Sequence, residues 1–409
     1  MSEPLRVSLT PALHRPEAAT VPFQPLLRPA GPRVVIGTVE QGDALAVPVS
    51  PTPWTLFGPR GGCLFGGNDQ REMRWPMYIA DTGHHRLLGW QQWPEADNTP
   101  ADWIIGQPDF FYEGRNAKSE VTASSLNVPT GVAACGNALA VADAWNHRVL
   151  IWHEAPRASH TPADVVLGQE NFSDAESNRC QADPTPATLF WPYGVHWDGA
   201  RLWVADTGNR RVLMWNSLPA KNGQPANLVL GQPDFISRNE NGGGAPDAAS
   251  MRWPHAIGIW DGKLCVADAG DNRVMVWDGI PQTINARCAF MLGQRDFTQV
   301  DHNQSLYWPN AASLNMPYGL AVAGKWLMIA DTANSRLLGW QADDSETGAA
   351  AKLLTGQCDF HAKGDNRWQP PVRDSLCWPY GMAACGKTVL VCDSGNNRVL
   401  LWRLAQEVE

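Results

Sequence analysis

The chain has 409 residues, a formal net charge of −9 and a pI near 5.6. This acidic balance argues against a surface for nucleic acid or an anionic membrane, and no window holds the ~18 apolar residues of a membrane helix. The nine cysteines form no CxxC pair. Most of them are expected to be small buried residues, which favours a reducing cytoplasm.

Residues 1–32 contain seven prolines and no apolar signal core. We expect an extended or disordered tail that lies along the wall of the domain that follows. The next five residues, Arg33 to Gly37, read as a short apolar strand.

The rest of the chain is organised by an aspartate that recurs every 62 or 63 residues. An arginine follows it after five residues, and a tryptophan follows that arginine after four more. Each unit contains three short strands, and an apolar run before a Gly-Gln pair provides a fourth. The aspartates are Asp81, Asp143, Asp206, Asp268, Asp331 and Asp393, and the arginines are Arg86, Arg148, Arg211, Arg273, Arg336 and Arg398. Four short strands repeated six times predict an all-β fold, a six-bladed β-propeller of antiparallel blades.

The predicted blades are about 53–110, 111–172, 173–235, 236–297, 298–360 and 361–402. The sixth unit ends at Trp402 without its fourth strand. We therefore predict that Arg33–Gly37 completes that blade and closes the ring, so that residues 33–409 form one domain without open sheet edges. The connections between blades are expected to build a cap on one face, with a helical turn at segments such as 123–126.

Residues 205–212, 142–149 and 392–399 share the pattern Ala/Cys-Asp-x-x-Asn-x-Arg-Val. This pattern resembles the signature of NHL repeats, although the period here is longer than is usual in that family. The resemblance implies a six-bladed β-propeller. It leaves function open, because most members bind protein or RNA while a few relatives are lyases or hydrolases.

The Asp–Arg pair occurs in all six units, whereas a catalytic pair is needed only once. We therefore interpret it as a structural pair that fixes the turn between the second and third strands.

Positions at which the blades differ are better candidates for a functional site. The residues after the lead-in prolines, expected at the channel mouth on the capped face, are Arg60, Thr130, Tyr193, His255, Tyr318 and Tyr380, and the turns add His84, His85, Trp145 and His147.

This set suits a small polar or anionic ligand, or a peptide. The alternative is that the tyrosines only close the channel mouth, with their hydroxyls in water. His196 is a separate exception, because its equivalents in the other blades are small residues. A lone histidine of this kind is more often a core residue than a ligand.

Relatives of the NHL family that amidate peptides hold zinc with histidines from separate blades, beside a catalytic Tyr and Arg. By that resemblance, His255, His84 and His147 are candidate ligands for a zinc or calcium ion. No HxH, HExxH or DxDxDG spacing supports such a site. Beyond such an ion we expect no cofactor.

The sequence favours a cytoplasmic, non-catalytic binding or scaffold protein whose capped face engages a protein partner or a small anionic ligand. The alternative is a metal-assisted lyase or hydrolase at the channel mouth, with Arg60 as anion clamp and a tyrosine as base. The inner hairpin of blade 1 carries eight extra residues around 66–74, whose role the sequence leaves open.

Overall fold

A computed structural model describes residues 23–37, 50–66 and 75–406, together with the backbone of the short strands Val39–Gln41 and Ala44–Ala46. Most of the expected N-terminal tail and of the blade 1 insertion, residues 1–22 and 67–74, lie outside the described residues.

In this part of the chain, six antiparallel sheets of four core strands form the blades of a propeller, as predicted. The inner strands are Gly61–Leu64, Pro129–Cys135, Pro192–Trp197, Pro254–Trp260, Pro317–Ala323 and Pro379–Cys385. The second strands are Met77–Asp81, Ala138–Asp143, Leu202–Asp206, Lys263–Asp268, Trp326–Asp331 and Thr388–Asp393. The third strands are Arg86–Trp90, Arg148–Trp152, Arg211–Trp215, Arg273–Val276, Arg336–Gln341 and Arg398–Arg403. The outer strands are Trp103–Ile105, Val165–Leu167, Leu228–Leu230, Phe290–Leu292, Leu353–Thr355 and Val34–Ile36.

The core lies between neighbouring blades. Second and third strands are apolar on both sides because each sheet packs against a blade on either side. In blade 3, for example, Val212 and Met214 face blade 4, whereas Leu213 and Trp215 face blade 2. The third-strand tryptophans are buried, and the Trp215 indole N–H donates to the Gln224 carbonyl at 2.9 Å. The repeated tryptophan therefore fills the interface and fixes the loop that follows it.

The ring closes as the sequence predicts. Val34–Ile36 pairs antiparallel with the third strand of blade 6, with Val35 opposite Leu400. The sequence did not indicate that Gln24–Pro25 would pair in parallel with Leu353–Leu354 and add a fifth strand to blade 5. The N-terminal segment thus joins blades 5 and 6 before it completes the ring.

The second-to-third-strand turns and the connections between blades lie on one face, which we call the capped face. The turns are short 3-10 segments at Thr82–His84, Ala144–Asn146, Thr207–Asn209, Ala269–Asp271, Thr332–Asn334 and Ser394–Asn396. Further 3-10 segments lie in the connections at Arg115–Lys118, Ser177–Cys180, Glu240–Gly243, His302–Ser305 and Asp365–Trp368. At 123–126, where a helical turn was expected, the chain forms only a tight turn. The segment Arg115–Lys118 does not replace it, because Asn116 and Ala117 have positive φ. Leu126 is fully buried as expected.

Candidate functional site

The six turns between second and third strands form a ring of buried hydrogen-bonded groups, which we call the turn ring. In blade 3, the Asp206 Oδ2 accepts from Arg211 Nε and from Asn209 Nδ2, both at 2.8 Å. Its Oδ1 accepts from the backbone N–H of Phe190 at 2.7 Å. Arg211 also donates to the carbonyl of Phe235 and to two carbonyls of the preceding connection. Both side chains are fully buried, so the pair ties the turn to its surroundings and does not face a reactant.

The residue after each turn links one blade to the next. It has a left-handed backbone conformation, with φ between 52° and 58°. The Nδ1 of His85 accepts from the Val128 N–H at 3.0 Å, and the Nδ1 of His147 accepts from the Trp191 N–H at 3.2 Å. Asn272, Ser335 and Asn397 accept from the next blade in the same way. The exception is Arg210, whose guanidinium instead donates to the carbonyls of Gly208 and Arg238.

The positive φ of these turns lies at the residue that follows them and not at the glycine. In blade 3 the left-handed residue is Arg210, with φ 58°, directly after Thr207–Asn209. Gly208 is required for space, because a Cβ there would lie 2.5 Å from the Phe190 carbonyl oxygen. Close approach of the lead-in segment therefore selects this glycine.

The three histidines considered as metal ligands each have a separate local partner. His84 is buried, and its Nδ1 lies 2.7 Å from Asp81 Oδ2. Four other blades have an asparagine at the position of His84. His147 serves the link described above, and the Nδ1 of His255 lies 2.9 Å from the Trp253 carbonyl. Within residues 23–66 and 75–406, as far as these are described, no three His, Cys, Asp or Glu side chains are grouped to hold a metal.

Burial favours the neutral imidazole at His85, His147 and His255. It lowers the pKa of His147 to about 4, and it lowers the pKa of His255 to about 4, with the charge of Arg60 as a smaller contribution. The pKa of His85 is also lowered, chiefly by burial. A neutral ring suits His85 and His147, since each uses its Nδ1 as an acceptor.

The residues after the lead-in prolines meet around the channel axis, and we call them the axial ring. The Arg60 Cζ lies 4.7 Å from the centroid of the Tyr380 ring, and Tyr380 stacks on Tyr318 with centroids 4.2 Å apart. His255 lies between Tyr318 and Tyr193, at centroid distances of 4.5 and 4.8 Å. The Arg60 Nη1 donates to the Tyr193 hydroxyl at 3.3 Å and completes the circle. The structure thus brings five of the six predicted residues into contact.

The sixth member, Thr130, is 2% exposed, and its hydroxyl donates to the Tyr193 carbonyl at 2.9 Å. His255 is only 9% exposed. We expected both His255 and Arg60 at a solvated mouth, but His255 is enclosed by two tyrosine rings. Arg60 is half-buried.

A channel cavity of about 470 Å³ continues below the axial ring, lined by all six inner strands. His196 lies on its wall, where the other blades have Cys63, Ala133, Gly258, Ala321 and Ala383. Burial lowers the pKa of His196 to about 4. In the described part of the chain, no hydrogen bond to its ring nitrogens is present.

The capped face also carries exposed aromatic side chains. Those around the axis are 38–49% exposed: Phe57, Trp145, Trp191, Trp253 and Trp378. We call these five residues the aromatic crown. Only Trp145 was among the predicted site residues. In the sequence, Trp191, Trp253 and Trp378 each precede a lead-in proline. Whether a tryptophan at this position is exposed depends on the backbone conformation there, which the sequence does not give.

No helix in the described ranges is long and apolar enough to cross a membrane. The family model for the NHL repeat matches residues 126–152. The chain is similar to NHL repeat-containing protein 2 of Homo sapiens, at 24% identity over 339 residues, and of Bos taurus, at 25% over 342 residues. Each match covers 64% of this chain and 44% of the relative, so the chain matches less than half of the length of these proteins.

Among solved structures, the chain is similar to Kuenenia stuttgartiensis hydrazine synthase, with a TM-score of 0.48, 12% identity and coverage of 87% of this chain and 97% of that one. It is also similar to virginiamycin B lyase from Staphylococcus aureus, with a TM-score of 0.43, 11% identity and coverage of 85% and 95%. At such values the similarity says nothing about function.

Proposed function

We propose that this NHL-repeat β-propeller is a non-catalytic binding protein that engages a protein partner through its capped face. The observation that carries the proposal is an uneven distribution of exposed apolar side chains. In the described part of the chain, thirteen large apolar side chains are 38–71% exposed. Strand direction assigns eleven of them to the capped face and only Trp75 and Ile284 to the opposite face.

Such a distribution is typical of an interaction surface. Single exposed apolar residues need no explanation, but a concentration on one face marks a binding region. Tryptophan and tyrosine are enriched among the residues that contribute most to the affinity of protein interfaces. Five of the six blades contribute one member each to the aromatic crown.

The main chain of two members of the aromatic crown is held by the preceding blade. Trp191 and Trp378 have φ values of 49° and 51°, a conformation that bulky residues rarely adopt. Their N–H groups are held by His147 and Ser335 of the preceding blade. The left-handed conformation of a non-glycine residue costs about 1 kcal/mol or more. The hydrogen bonds to the preceding blade hold the main chain at these two positions, so that it loses little entropy on binding.

The proposal is tested by quantitative affinity purification from the native cell. A variant with Trp191→Ser, Trp253→Ser and Trp378→Ser is compared with the wild type and with the control Trp75→Ser on the opposite face. We expect the triple variant to lose proteins that the wild type and the control both retain, because each anchor contributes about 2 kcal/mol to binding. Equal recovery of the same proteins by all three, at unchanged melting temperature, would place the interface elsewhere.

A further inference from the structure

A second site lies inside the propeller, and it does not depend on the partner surface proposed above. We propose that the central channel binds a small monocarboxylate through Arg60, with His196 as a second polar contact. The cavity of about 470 Å³ falls within the range of roughly 300–1,000 Å³ that small-molecule sites occupy.

Arg60 is the first observation. A guanidinium has five N–H donors, yet Arg60 makes one hydrogen bond, to the Tyr193 hydroxyl at 3.3 Å. No carboxylate of residues 23–37, 50–66 or 75–406 lies within ion-pair distance of it. The rings of Tyr380 and Tyr193 lie 4.7 and 6.0 Å from its Cζ and hold it in place. A half-buried guanidinium with free N–H donors beside a cavity can bind an anion. The planar arrangement of these donors matches the two oxygens of a carboxylate.

The tyrosines beside Arg60 add further donors. Burial raises the pKa of Tyr318, and it raises the pKa of Tyr380 as well, so both phenols keep their protons. The Tyr318 hydroxyl contacts Met316 Sδ at 3.9 Å and is hydrogen-bonded to the side chain of Tyr380. The carboxylate of Asp198, on the channel wall, is already paired with Arg201 and with the indole of Trp203. Among the described residues, the uncompensated charge of the channel is therefore positive and lies at the axial ring.

His196 is the second observation, and it is independent of the first. Its neutral imidazole can donate one hydrogen bond and accept another, and within the described ranges neither is made. The equivalent positions in the other blades hold Cys63, Ala133, Gly258, Ala321 and Ala383, which cannot contact a ligand in this way. The chain therefore places one polar group on a wall where the repeat has a small side chain.

The remaining wall sets the chemical class of the ligand. Val195, Ile259, Leu320, Val322 and Met382 line the channel, so an apolar body is accommodated there. A second charged group on the ligand would be desolvated without a partner. These features fit a monocarboxylate with an apolar or aromatic body and, on that body, a hydroxyl group for His196.

Calorimetric titration of the whole chain with benzoate tests the carboxylate contact, with benzamide as a neutral probe of the same shape. We expect benzoate to bind in the ~1 mM range or tighter and at least about tenfold better than benzamide. Arg60→Met should remove that preference, whereas Arg287→Met, which removes an arginine of a surface ion pair away from the channel, should keep it. Equal affinity of the wild type for both probes, or no benzoate binding, would overturn the proposal without any variant.

The contact of His196 is tested with 4-hydroxybenzoate. We expect it to bind tighter than benzoate in the wild type, and His196→Ala should remove that difference while leaving benzoate binding unchanged. A difference that survives in His196→Ala would exclude His196 as the second contact.

A dipeptide that ends in a free carboxylate, acetyl-Gly-Phe, and its amide identify the source of the carboxylate group. Binding of the acid more tightly than benzoate would indicate a chain terminus, and weaker binding would indicate a free small molecule.

Discussion

The turn ring and the axial ring both take one position from each of the six blades, but they differ in how their polar groups are satisfied. In the turn ring, Asp206 and Arg211 use nearly every donor and acceptor on partners within the fold, and the other blades repeat the contact between the aspartate and the arginine. In the axial ring the residue types differ, contacts run through aromatic faces, and Arg60 has one hydrogen bond. We therefore interpret the repeated turn ring as scaffold and propose the axial ring, which departs from the repeat and has free donors, as the place for a ligand.

Removal of the N-terminal strand should have the largest effect, because both rings require a closed propeller. Deletion of residues 1–37 removes the outer strand of blade 6 and the fully buried side chains of Leu26, Val34 and Ile36. We expect a loss of roughly 5 kcal/mol or more of unfolding free energy, seen as a large fall in melting temperature by circular dichroism. Deletion of residues 1–22 is the control. A melting temperature within a degree or two of the full chain after the longer deletion would contradict the role of that strand.

The same substitution, arginine to methionine, should lower the free energy of unfolding much more in the turn ring than in the axial ring. Arg211→Met leaves the Asp206 carboxylate buried without its cation and should lower the unfolding free energy by about 3–5 kcal/mol. Arg60→Met leaves no carboxylate unpaired and should change it by about 1 kcal/mol or less. Thermal unfolding of both, beside the surface control Arg287→Met, measures the difference. Equal destabilisation by the two variants would remove the distinction between the rings.

Blade 4 departs from the turn ring at Asp271, where four other blades have asparagine. Burial, and secondarily the neighbouring Asp268, raises the pKa of Asp271 to about 7. A raised folded-state pKa means that the folded chain binds the proton more tightly than the unfolded chain. Stability attributable to this group is therefore highest near pH 4 and falls as the pH rises to about 7.

Asp271→Asn removes this titration. We expect a gain of roughly 2 kcal/mol at pH 8 and no gain near pH 4, measured by thermal unfolding at both values. Asp296→Asn, at a carboxylate on the surface, serves as the control. A gain of equal size at both pH values would show that titration of Asp271 is not its cause.

The smallest effect concerns the links between blades. His147→Ala removes the acceptor for the Trp191 N–H and should lower stability by about 1 kcal/mol. His147→Asn should restore it, because Asn272 and Asn397 make the same link in blades 4 and 6. Equal loss in both variants would show that the imidazole has a role other than that of an acceptor.

Much of the fold could be predicted because it depends on residues that lie close together in the sequence. The spacing of Asp206, Arg211 and Trp215 determines a turn and the strand that follows it, and six copies determine the number of blades. The missing fourth strand of blade 6 likewise pointed to Arg33–Gly37. The candidate site was predicted less completely. Its axial residues were found because they break the repeat, but their mutual contacts were not.

The sequence by itself determined the six-bladed propeller and its closure, because alternating apolar residues and turn residues act within a few positions of one another. Only the tertiary structure decided the use of the remaining polar and aromatic groups. His147 became a link to Trp191, 44 residues away, and Arg60 came to lie beside Tyr193, 133 residues away. Closure of the ring brings such distant residues together, and the burial that follows keeps His255 neutral and exposes the aromatic crown on one face.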